Sequence, residues 1–176
     1  MEILIEVKNV SKQFPGVKAL DSVSMSVARG EIHALVGQNG AGKSTLSKII
    51  AGVYSQDQGE IIFDGKSMDL ANPREALDYG IAVIYQELSL VPSLNVAENI
   101  YLGRWPHHAG RVRWKEMHQS AEVELQKLGL HIDTLSRISD IGAAERQMVE
   151  ITKAVSRSAQ LIIMDEPTSS LTPDET

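Results

Sequence analysis

The stretch "LVGQNGAGKST", residues 35 to 45, constrains the fold more than any other part of this chain. Before it, "EIHALVG" carries an apolar run over Ile32–Val36, the pattern of a strand covered on both faces. After it the period turns helical. Leu46, Ile49 and Ile50 fall at i, i+3 and i+4, and Gly52 is placed to stop the helix. Between the two lie three glycines, Gly37, Gly40 and Gly42, the least structured residues a chain can use.

The pattern is G-x-x-x-x-G-K-[ST], with Gly37, Gly42, Lys43 and Ser44 in the fixed positions. Its chemistry needs those residue types. Glycines let the backbone wrap a polyphosphate with N–H groups pointing inward, and the helix opening at Lys43 adds the positive end of its dipole. Gly37, Asn39, Gly40, Ala41 and Gly42 are expected to form the cradle. Lys43 would reach the β- and γ-phosphates, Ser44 would ligate Mg²⁺ and Thr45 would bond the α-phosphate. A strand before and a helix after are the context that separates a P-loop from a chance glycine turn.

Composition sets outer bounds. The 176 residues are 43% hydrophobic and 23% charged, which suits one core and a small subdomain. A net charge of −6 argues against a nucleic-acid binder, whose phosphate contacts need a basic face. Zero cysteines exclude disulfides and thiolate metal sites. No apolar run approaches the roughly 20 residues that span a bilayer, and "MEILIEVKNV" places acids where a secretory signal carries positive charge. Any membrane role therefore runs through a partner.

Along the chain, "ILIEV" and "SVSMSV" alternate as half-buried strands, with Val23, Met25 and Val27 sharing a face. Further strands are expected at "EIIFDG", closed by an Asp64-Gly65 turn, and at "GIAVIYQ". From about 93 to 157 the reading is helical, broken by the loop "GRWPHHAG". Met117, Ala121, Leu125 and Leu128 make one stripe, and Met148, Thr152 and Val155 another. "LIIMDE" then ends a short apolar strand in two acids. The strand would deliver Asp165 to its carboxyl end, where open α/β sheets bind ligands. Asp165 would hold Mg²⁺ and Glu166 would polarise the attacking water; the alternative is a solvated acidic pair. The five histidines lack convincing metal-ligand spacing.

"GQNGAGKSTL", "VIYQELSLVPSLNVAENIYLGR", "QMVEITKAV" and "IIMDEPTSSLT", in this order, resemble the nucleotide-binding domain of an ABC transporter. More narrowly they resemble the ATPases of bacterial carbohydrate importers, the ribose, galactose, xylose and autoinducer-2 type. The likeness runs from about Val7 to the end. It implies an α/β P-loop ATPase core with an N-terminal antiparallel β subdomain and an inserted helical subdomain, incomplete at its C-terminus. Residues 1–176 would form one incomplete ATP-binding domain: β subdomain and P-loop core over 1–92, helical subdomain over 93–157, acidic strand and D-loop over 158–176.

The resemblance also implies roles. Phe14 would lie against adenine, although a core position after a strand is open to it as well. Gln86 would be the Q-loop residue, contacting Mg²⁺ or the attacking water, and "LSLVPSL" after it would face a permease or pack locally. The cofactors implied are ATP and Mg²⁺. The implied partners are a second ATP-binding domain, permease subunits and, indirectly, a periplasmic solute-binding protein, at the cytoplasmic side of the bacterial inner membrane. The function implied is ATP hydrolysis that energises sugar import. A soluble ABC-type ATPase without a permease and an inactive remnant stand as alternatives.

Two places depart from the family pattern. L-S-G-G-Q becomes Ile141-Gly142-Ala143-Ala144-Glu145, which loses a hydroxyl, adds a methyl and puts a carboxylate at a helix N-terminus. That carboxylate stabilises the helix but opposes an incoming anion. "LTPDET" announces a helix, with Thr172 as N-cap, Pro173 at N1 and Glu175 closing a capping box. The chain is on this ground expected to be a fragment or a truncated product.

Overall fold

The computed structural model describes residues 2–85 and 88–165. By its internal contacts the chain divides into two compact units, Met1–Ile81 and Ala82–Thr176.

The first unit is built on two long strands, β1 (Ile3–Phe14) and β2 (Val17–Ala28), which pair antiparallel around a two-residue Pro15-Gly16 turn. Proline presets the first turn residue, and Gly16 takes φ 81°, which a side chain would resist. On β2 the expected period of two is present: Val23 and Met25 are half-buried and Val27 buried, while Ser22, Ser24 and Ser26 face solvent. The helix α1 (Lys43–Ile50) follows the glycine loop. Then come β3 (Gln58–Phe63) and β4 (Lys66–Met68), joined through Asp64 and Gly65, both left-handed as a tight hairpin turn requires. The sheet order is β2-β1-β3-β4. Ile5, Val7, Val10, Ile61 and Phe63 are buried in the sheet, and Leu46, Ile49 and Ile50 are the buried side of α1.

Helix α1 stops where the sequence predicts. Gly52 adopts φ 71°, its N–H donates to Ile49 O, and the Val53 N–H donates back to Lys48 O. These two bonds satisfy carbonyls that the last helical turn leaves open. A short helix, α2 (Pro73–Asp78), begins under an Asn72 cap that accepts the N–H groups of Arg74 and Glu75.

One strand expectation is not met. Residues 31–38 carry no regular secondary structure, and Ile32 and Val36 are 98% and 93% exposed. A strand is made by its neighbours' hydrogen bonds, and among the described residues no strand pairs with this segment. Apolar composition alone does not supply them.

The second unit opens within β5 (Ile81–Ile84), whose hydrogen-bonded neighbour is the last described strand. Helix α3 (Val96–Ile100) starts at a capping box: Asn95 accepts the Glu98 N–H and Glu98 accepts the Asn95 N–H. The expected loop "GRWPHHAG" contains a miniature hairpin, β6 (His107–His108) against β7 (Arg111–Val112). Helix α4 (Trp114–Lys127) buries Met117, Ala121 and Leu125, the predicted stripe, whereas Leu128 lies past the helix end and is 38% exposed. Helix α5 (Ala143–Val155) leads to β8 (Leu161–Met164).

The predicted stripe on α5 needs correction. Met148 and Val155 are only half-buried, and the fully buried positions are Gln147, Val149, Glu150, Thr152 and Ala154. The helix is covered on two sides. Val149 enters the core formed with α3 and α4, while Ile151 and Ala154 pack with Ala82 and Ile84 of β5 and Ile162 of β8. A helix between two layers buries a wider arc than a single stripe describes. Its C-terminal end is tied to that of α3 by arginines. Arg104 donates to Ile100 O and Ser156 O, and Arg157 donates to Leu102 O. Burial, then the neighbouring Arg157 charge, lowers the pKa of the Arg104 guanidinium.

Candidate functional site

The glycine loop folds as a compact turn. Gly40 takes φ 81° and the Ala41 N–H closes back on Gln38 O at 3.1 Å. Residues 37 to 41 are exposed, as is Ser44, while Gly42, Lys43 and Thr45 are half-buried. Gly42 is the N-cap of α1 at φ 91°, with no side-chain cap hydrogen bond and no acidic residue in the first turn. The positive end of this helix is thus uncovered by any carboxylate of its own, the electrostatic state an anion site requires.

Gly42 has a second reason to be glycine. A Cβ there would lie 2.5 Å from Ala19 O and 2.7 Å from Leu20 Cδ2, so the start of α1 rests directly on β2. The pattern match identifies the position, but only the packing shows why no side chain fits.

Lys43 is already turned into the loop. Its Nζ donates to Gly37 O at 2.7 Å and to Gln38 O at 3.0 Å. An ammonium has three N–H donors, so one remains for a phosphate oxygen held in the turn. Ser44, a hard hydroxyl donor at the second helical residue, suits magnesium, which takes oxygen ligands and keeps several waters.

Phe14 stands at the end of β1, half-buried, opposite Val17. Its ring meets Tyr54 edge-on, with centroids 5.2 Å apart and planes at 70°, and Lys12 Nζ lies 5.7 Å from its centroid. Nothing in the local pattern of Tyr54 links it to a residue so far back in the chain. Asp57, on the same segment, accepts Lys12 Nζ and the Gln13 N–H, each at 2.7 Å. The lysine bond first, and the backbone bond second, hold its carboxyl below the usual range.

In the second unit Asp165 follows β8, half-buried, and its N–H donates to Ile84 O at 3.0 Å. Gln86 and Glu166, and the expected helix opening at Thr172, lie outside the described residues. The altered signature is directly visible. Gly142 is the N-cap of α5, and its N–H donates to Glu145 Oε2 at 2.9 Å. The helix therefore covers its own positive end with a carboxylate, unlike α1.

The segment after Gln86 is pinned locally. Asn99, fully buried, accepts the Val91 N–H at 2.7 Å and donates to Val91 O and Asn95 O. Glu150, 5% exposed, accepts from Ser89 Oγ at 2.6 Å, and Lys153 Nζ donates to the same Ser89 Oγ at 2.7 Å. Histidines serve locally: His33 lies 2.9 Å from Glu31, and His118 3.1 Å from Thr134 Oγ1. Among the described residues no group of three metal-ligating side chains forms.

A solved ATP-binding cassette of an ABC transporter, in its ADP conformation, superimposes with a TM-score of 0.84 at 27% identity, covering 99% of this chain and 73% of that one. The antiparallel sheet, glycine loop and helical region thus have the fold of an ATP-binding cassette. The ABC transporter family model matches residues 20–169, and the chain belongs to that family. It is 49% identical over 175 residues to a ribose import ATP-binding protein of Rubrobacter xylanophilus, covering 99% of this chain and 35% of that protein. It is 51% identical over 166 residues to an arabinose import ATP-binding protein of Pectobacterium atrosepticum, covering 94% of this chain and 33% of that protein. The chain spans about a third of the length of these curated relatives.

Proposed function

We propose that this chain is the nucleotide-binding part of an ATPase that energises import of a sugar through an ABC transporter. ATP binds with its phosphates in the turn Gly37–Thr45 and its base at Phe14. Lys43 supplies positive charge to the β- and γ-phosphates. On the family resemblance Ser44, Asp165 and Gln86 would hold Mg²⁺, which would supply charge neutralisation on the phosphates, and Glu166 would orient and polarise the attacking water. A second ATP-binding domain and permease subunits complete the machine at the cytoplasmic face of the membrane, with the solute-binding protein acting through the permease. Among the described residues no helix is long and apolar enough to cross a membrane.

The observation that carries this reading is the uncapped, acid-free N-terminus of α1 with Lys43 already folded into the turn beside it. The test is thermal melting with MgATP. A ligand at about 100 times its Kd adds about 2.7 kcal/mol, which raises the melting point of a chain this size by roughly 5–11 °C. Lys43→Ala removes most of that rise. In the complete protein Glu166→Gln keeps the binding and abolishes turnover. No magnesium-dependent shift, or a shift untouched by Lys43→Ala, refutes the proposal. It would favour an inactive remnant.

A further inference from the structure

Tyr54 occupies a place that the family resemblance assigns to nothing. It follows α1 by four residues, and its N–H and that of Val53 both return to Lys48 O in the last turn of that helix. Lys48 Nζ lies 5.8 Å from the Tyr54 centroid, and Tyr54 also meets the Phe14 ring. The segment holding Tyr54 is clasped to the end of β1 by three bonds: Lys12 Nζ and the Gln13 N–H to the Asp57 carboxylate, and the Asp57 N–H to Ser11 O. At its other end α1 rests on β2 through Gly42, against Ala19 and Leu20. Leu20 is three residues from Val17, the partner of Phe14, or about 10 Å along an extended strand.

Phosphate turn and base platform are thus connected twice, once along β2 and once through Tyr54. We propose that Tyr54 is a positioning residue that sets the distance and tilt of Phe14 relative to the phosphate turn, with Asp57 holding the Tyr54 segment in place. The proposal rests on the reading of the glycine loop as a nucleotide site. Tyr54 acts through Phe14 and so matters only for a ligand with a base.

Inorganic tripolyphosphate has the phosphates and no base, which makes it the discriminating probe. Titration calorimetry of the full-length protein with ATP and with tripolyphosphate, both in Mg²⁺, compares Tyr54→Leu, Tyr54→Phe, Phe14→Ala and Phe14→Ala/Tyr54→Leu. Tyr54→Leu is expected to weaken ATP roughly three- to tenfold, the range of an aromatic pair, and to leave tripolyphosphate within about twofold. Tyr54→Phe keeps the parent affinity for both. The double variant binds ATP no more weakly than Phe14→Ala alone, because the two rings act as one unit. Equal losses for both ligands, no loss for ATP, or additive losses overturn the proposal. If Tyr54→Leu does not fold, Asp57→Asn decides. It keeps both rings and loosens the clasp, so a loss confined to ATP supports the proposal and unchanged binding overturns it. A parent that binds tripolyphosphate but shows no Tyr54 dependence sinks only this inference. A parent that binds neither ligand sinks the nucleotide reading and this inference with it.

Discussion

Replacing Gly42 by alanine separates two reasons for a glycine that the motif alone conflates. At φ 91° any side chain pays a left-handed backbone penalty of about 1–2 kcal/mol. The new Cβ would also stand 2.5 Å from Ala19 O and 2.7 Å from Leu20 Cδ2, an overpacking cost of about 1–3 kcal/mol. The sum, about 2–5 kcal/mol, is a large part of the 5–15 kcal/mol that typically holds a domain together. For a chain of this length it lowers the melting point on the order of 10 °C. Gly40 is the control, with φ 81° and nothing within 4 Å of its ideal Cβ, so Gly40→Ala carries the backbone penalty alone. Gly37→Ala brings only an ordinary 3.4 Å contact with Ala41 and is expected to change stability by about 0.5 kcal/mol or less. The assay is ligand-free melting followed by far-UV circular dichroism, so nucleotide binding does not enter. If Gly42→Ala melts with Gly40→Ala, the packing of α1 on β2 carries no weight and the reasoning fails.

Three further outcomes are expected. Glu145→Gln removes the carboxylate that accepts the Gly142 N–H, uncovering the positive end of α5, and in the complete protein it raises ATP turnover; a rate equal to or below the parent's contradicts this. Glu150→Ala takes from Lys153 its largely buried counter-charge at 3.5 Å and from Ser89 its acceptor, costing about 3 kcal/mol in urea denaturation, with little change expected if the cluster is ornamental. Asp57, whose carboxyl is held low by Lys12 and the Gln13 N–H, contributes stability that is fully present above the ordinary carboxylate pKa and is lost as pH falls through its depressed value. Asp57→Asn should therefore make melting less sensitive to acid below about pH 4, and an unchanged acid profile would remove the clasp from the account.

Local order was legible in the sequence where a short stretch contains its own cause. The Gly52 stop completes hydrogen bonds with carbonyls three to five residues back, the Asp64-Gly65 turn needs only two left-handed residues, and the Met117-Ala121-Leu125 face follows from helical period. The glycine turn belongs to this class, since Lys43 reaches the carbonyls of Gly37 and Gln38 within one loop. Tertiary structure decided whatever depends on distant partners. The apolar run at Ile32–Val36 forms no strand, because ladder hydrogen bonds come from a neighbour and composition does not supply one. The polar positions Gln147 and Glu150 are buried because α5 lies between two layers, a geometry its own period does not encode. Tyr54 meets Phe14 only because the chain turns back after α1. A contact between residues forty apart is set by packing, and no local spacing rule records it.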